Sequence, residues 1–193
     1  MSDYSGRVLS DRDLWFLIVQ SSVGDTYRPL NLRGAILTGA NLAGADFSGA
    51  NFSKADLRGA NLQGANFSGA YLADALLNDS NLKGASLEGA VFAMADLSNA
   101  LLDEADFTDA NLTEALLNNV SAIETDFTRA DLSKSQIVRA NLTRANLFKA
   151  NLSGAELVGS DFLEANLGRT YFNDTNLDDV VNLERAIGYK GVD

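Results

Sequence analysis

The chain of 193 residues contains no cysteine, no histidine, one proline and one tryptophan. Without cysteine a disulfide framework is excluded, and without cysteine or histidine so are sites built on those metal ligands. Long apolar runs are missing too. None exceeds the six residues of Leu14–Val19, whereas a helix that crosses a bilayer needs about 20. Positive charge is scarce: 15 Lys and Arg face 26 Asp and Glu, for a net charge of −11. That balance disfavours nonspecific attraction to nucleic acid or to an anionic membrane, so neither is expected as a partner. The opening residues, MSDYSGRVLSDRDL, lack the charged-then-apolar order of a secretory signal, and the expected location is the cytoplasm.

What the sequence has in abundance is a period of five. From Leu32 to Leu177 there are thirty central positions, of which twenty are Leu and eight are Phe, with Ile137 and Ala122 completing the set. Ala stands two residues before the centre in twenty-two of them, and Asn or Asp stands one before in nineteen. On an α-helix five residues advance about 500°, so the Leu side chains would drift around the cylinder. On a strand an odd spacing sends them to alternate faces. Only a chain that makes the same bend in every pentapeptide keeps them together. It winds around its own core as a solenoid.

Motifs such as Ala40-Asn41-Leu42, Ala45-Asp46-Phe47 and Ala150-Asn151-Leu152 make the chain resemble the pentapeptide-repeat protein family, cyanobacterial members in particular. The resemblance covers more than three quarters of the length. It implies an all-β solenoid: a right-handed quadrilateral β-helix with four pentapeptides per coil and short helical caps. The central and Ala positions would point inward and the other three outward. The implied organisation is an N-terminal cap over residues 1–29, the β-helix over 30–179 and a C-terminal cap over 180–193.

Both ends of a solenoid need cover. Ser10-Asp11-Arg12-Asp13 offers N-cap oxygens ahead of Leu14–Val19, which predicts a short helix there. Pro29 favours an extended start at Leu30. Val180, Val181, Leu183, Ala186 and Ile187 predict a one- or two-turn helix ended by Gly188. In some relatives this end also makes a dimer, so a homodimer through a capped end is implied as an option.

Other motifs fail as sites. The many Asp residues occupy the outward slot before the centre, where a short oxygen-bearing side chain serves the adjacent turn. Phosphate-binding and dinucleotide-binding fingerprints and an EF-hand loop are absent. Eight N-x-[ST] triplets arise because the repeat places Ser or Thr two residues after Asn. Glycines cluster two residues after the centre, at Gly34, Gly39, Gly44 and Gly49, and are read as relieving a repeated turn. The expectation is a protein that is not an enzyme and that carries no cofactor and no metal.

Function on a regular scaffold lies where outward positions depart from the default. Tyr71, Leu76, Val91, Leu101 and Leu116 replace the expected Asn or Asp, and Met94 occupies a nearby outward position. Between Gly84 and Thr128 there are nine carboxylates and no Lys or Arg. Asp103, Glu104, Asp106 and Asp109 belong to this acidic belt. Arg129, Lys134, Arg139, Arg144 and Lys149 follow at every fifth residue as a basic belt, and contact between the belts would balance charge internally. The favoured expectation is a scaffold or regulatory module that binds an unidentified protein partner. The apolar residues would supply burial, and the four carboxylates would orient the partner. The alternative, implied by the quinolone-resistance branch of the family, is a DNA mimic acting on DNA gyrase or topoisomerase. Lastly, Ala122 stands where Leu or Phe belongs, which predicts either compensation by the large Val120 or a local bulge.

Overall fold

The bend that recurs every five residues is a type II turn. In the computed structural model, which describes residues 4–9, 13–14 and 29–189, the residue two after each centre has positive φ at all thirty positions, glycine or not. The turn closes with a bond from the next Ala N–H to the central carbonyl, as in Ala60 N to Leu57 O at 3.0 Å. Asn and Asp brace it from outside. Asn51 Oδ1 accepts from the Ser53 N–H at 3.0 Å and Asp106 Oδ1 from the Thr108 N–H at 2.9 Å. These Asx contacts explain why a short side chain with an acceptor oxygen recurs at that slot.

Between turns the chain is extended for about one residue per side, enough for a single parallel bridge to the coil above. The bridges join residues twenty apart, as in Asn61 to Asn81 and Tyr71 to Val91. Twenty residues are four pentapeptides, so each coil has four sides. Face A runs from Asn31 through Tyr71, Val91 and Asn111 to Tyr171. Face B runs from Ile36 to Asn176, face C from Asn41 to Val181, and face D from Asp46 through Asn166 to Ile187. At about 4.8 Å between strands, seven and a half coils make a rod roughly 36 Å long.

The central Leu and Phe residues fill the axis, and nearly all are inaccessible. Ala beside them lets the walls approach to the density of a normal protein interior. Phe47, Phe52 and Phe67 pack with centroids 5.0–5.4 Å apart. Where Ser or Thr replaces Ala, its hydroxyl donates to a carbonyl. Ser80 Oγ bonds Leu77 O at 2.6 Å, and Thr125 Oγ1 bonds Leu102 O of the coil below at 2.8 Å. No buried side-chain polar atom is left without a partner among the described residues.

The bulge offered as one outcome at Val120-Ile123 does not form. Ser121 bridges both Leu101 and Asn141 in unbroken register. Val120 and Thr125, larger than Ala, sit buried on either side of Ala122.

The ends differ from expectation in instructive ways. Residues Arg7-Val8-Leu9 add a strand below face B: Val8 bridges Ile36, whose N–H donates to Arg7 O at 2.8 Å. Of the helix expected over residues 14–19, only Leu14 is described. It is helical with Asp13 and buried, and the remainder lies outside the described residues. At the other end the expected helix is one 3-10 turn, Leu183–Arg185. It inserts a residue, so Ile187 bridges Asn166 across twenty-one positions, and Gly188 follows at φ +79°.

Candidate protein-interaction surface

Five residues advance the chain by one side of the square, so neighbours in sequence land on different faces. Tyr71 and Val91 are bridged on face A, with Ala73 and Ala93 beside them and Met94 at the adjoining corner. Leu76 and Leu116 lie on face B, separated by Asp96. Leu101 lies on face C between Asn81 and Ser121. The only close apolar grouping among these six is Tyr71, Val91 and Met94. Tyr71 is 55% exposed and Met94 60%, so neither is spent on the core.

The four carboxylates expected to orient a partner each have a contact within the rod. Asp103 Oδ1 accepts from Ser121 Oγ at 2.6 Å and from the Ile123 N–H at 3.0 Å, in place of the Asx oxygen that Ser121 cannot offer. Glu104 is held by Lys83 at 3.1 Å. Asp106 caps the Thr108 N–H. Asp109 receives Arg129 Nε at 2.6 Å. All four make contacts within the rod itself; Asp103, Glu104 and Asp106 sit around faces C and D, while Asp109 occupies the corner between faces D and A. The signal that reveals this is the twenty-residue offset: Asp109 with Arg129, and Glu124 with Arg144 at 2.6 Å, are one coil apart on the same corner.

Electrostatics follow these pairs. The Arg129 guanidinium holds the Asp109 carboxyl below its ordinary range, and Glu104 pushes the Lys83 ammonium up. Arg58 likewise lowers Asp56 through its side-chain bond. For Asp96 partial burial works upward, yet hydrogen bonds with Asn78 and Ser98 outweigh it and leave the carboxyl lowered. A shallow depression of about 190 Å³ at the corner of faces C and D is lined by Lys83, Asp103, Glu104, Ile123, Glu124 and Arg144. Its charges already satisfy one another. No cluster of metal-ligating side chains occurs among the described residues.

The family model for pentapeptide repeats (8 copies) matches residues 30–64, 65–103, 105–144 and 140–179. The chain is a pentapeptide-repeat protein. No curated protein matches its sequence. Among solved structures, a trypsin-treated form of QnrB1, a plasmid-mediated fluoroquinolone resistance protein, superposes with a TM-score of 0.72 at 21% identity. The match covers 79% of this chain and 77% of that one, which shows a shared fold of the right-handed β-helix type. HetL, from the cyanobacterium Nostoc sp. and involved in heterocyst differentiation regulation, is 25% identical over 92% of this chain and 98% of its own, with a TM-score of 0.49. A pentapeptide-repeat protein of the Arabidopsis thaliana thylakoid lumen is 34% identical over 56% of this chain and 69% of its own, with a TM-score of 0.31.

Proposed function

We propose that this pentapeptide-repeat protein is a non-enzymatic binding module that engages a protein partner through face A, centred on Tyr71, Val91 and Met94. The carrying observation is the exposure of Tyr71 in a slot where the fold asks for Asn or Asp. A Tyr there gives up the Asx oxygen that would brace the Ala73 N–H, and more than half of its surface stays exposed in the monomer. Exposed apolar groups gathered on a flat face are the ordinary mark of a contact surface, with Tyr among the residues most used as anchors.

The DNA-mimic alternative requires a continuous acidic surface. Here Arg129, Lys149 and Arg169 line one corner, and Arg144 and Lys83 interrupt another. Charge is distributed in bands along the rod, which supports local protein contact over imitation of a phosphate backbone.

A photo-reactive residue in place of Ala93 on face A, compared with one in place of Gln63 on face C, tests the reading in extracts of the host. Capture of a protein at position 93, competed by the unlabelled parent but not by a Tyr71→Ser, Val91→Asn variant, is the expected result. Equal capture at positions 63 and 93, or full competition by the variant, would overturn it.

A further inference from the structure

We infer that the occupant of face A is a second copy of this chain, packed antiparallel with face A on face A. This rests on the reading of that face as a protein-binding surface and names the partner.

Two corners flank face A, and both change sign at the same height. One passes from Asp109 to Arg129, the other from Glu114 to Lys134, and all four side chains are exposed. A two-fold axis lying across the face at that height reverses the rod while keeping each corner against its own counterpart. Asp109 then meets Arg129 of the second copy, and Glu114 meets its Lys134, each contact occurring twice as an isologous interface requires. Within each rod Asp109 already holds Arg129, so the four groups join into one cluster. Glu114 and Lys134 are not ion-paired with each other or with any other group among the described residues.

The same axis treats the centre of the face consistently. Tyr71 and Tyr171 bridge into the same column, 55% and 56% exposed, and each lies fifty residues, or two and a half coils, from the axis. They therefore meet one another in the antiparallel pair, at both ends of the interface. Sizes also match. Met94 faces Gly154, while Lys149 and Arg169 face Gly89 and Gly69, corners that carry no side chain. The single like-charged match is Asp74 with Asp174, at the periphery.

Other arrangements do worse. A shift by one coil sets Asp109 against Asp109, or Arg129 against Arg129. Parallel packing sets Asp109 against Glu114 and Arg129 against Lys134. The remaining faces lack this property, because their two corners do not change from acid to base at a common height. Like-charge juxtaposition suppresses wrong registers even where each exposed pair adds little affinity.

The chain has no cysteine, so introduced thiols are unambiguous. Val91 faces Asn151 of the second copy, and facing sheets pack about 10 Å apart, within reach of a short bis-maleimide. Val91→Cys and Asn151→Cys proteins, mixed, should give a covalent dimer at several times the yield of either alone. By sedimentation equilibrium, Glu114→Lys and Lys134→Glu should each weaken self-association about tenfold, as two opposite-sign contacts become like-sign. Mixing those two variants should restore it, since the hetero-pair has opposite charges again. Equal cross-linking in the unmixed samples, or no recovery on mixing, would overturn the antiparallel register. A parent that stays monomeric while position 93 captures a different protein would remove self-association and leave the binding face standing. Capture of nothing at position 93 would remove both.

Discussion

At the corner two residues after each core centre, nineteen residues other than glycine hold φ between +56° and +63°. For an L-residue this left-handed region costs roughly 1 kcal/mol relative to glycine. The early coils use Gly there, at Gly39, Gly59 and Gly64 for example, and the middle coils use Glu, Asp, Arg and Lys instead. The conformation was legible from the glycines, but not that charged residues share it, because a side chain does not announce its φ. Inward positions are simpler to read. Leu82 is inaccessible while Lys83, one residue later, is exposed and holds Glu104. Leu82→Asp should therefore unfold the rod, costing at least about 4 kcal/mol, and Lys83→Ser should cost less than about 1 kcal/mol. Urea unfolding followed by circular dichroism separates the two. Similar midpoints would contradict the inward assignment.

The elements of this protein are single bridges and turns, each too small to be stable alone. Their stability comes from stacking, so the ends carry disproportionate weight. Here the sequence was least legible. The strand at Arg7-Val8-Leu9 lies outside the five-residue period and pairs with Ile36 twenty-eight positions later, a spacing that no repeat announces. Leu9 and Leu14 are buried from this segment. Deleting residues 1–28 should bare the first strand edges and the lower end of the Leu32 and Leu37 core. Size-exclusion chromatography should then show aggregation or end-to-end association. An unchanged elution volume would mean that this segment covers nothing essential.

Seen as a whole, the rod converts a linear pattern into columns twenty residues apart. The period of five is plain in the sequence because every central Leu or Phe obeys it. The number of sides is not, since any closed polygon of pentapeptides repeats the same motif; the family resemblance implied four, and the bridges between residues i and i+20 show it. The candidate surface shared that fate. Tyr71 and Val91 were recognisable as departures and do meet, whereas Leu76, Leu101 and Leu116 turn to other faces. Asp103, Glu104, Asp109 and Glu124 of the acidic belt are bound to neighbours one coil away, and Tyr171, Glu114 and Lys134 acquire meaning only once the columns are aligned.

The central claim is that Tyr71, Val91 and Met94 serve contact and contribute nothing to folding. The direct measurement is a paired one on the variant Tyr71→Asn, Val91→Asn, Met94→Gly, which restores the repeat's own preferences. Asn at 71 and 91 supplies Asx oxygens to the turns that follow, and Gly at 94 relieves the positive φ of 60°. Its melting temperature should equal or exceed that of the parent, since each change removes a local conflict. Its cross-linking through position 93 should be lost. A variant that melts well below the parent, or one that still cross-links fully, would contradict the assignment of this face.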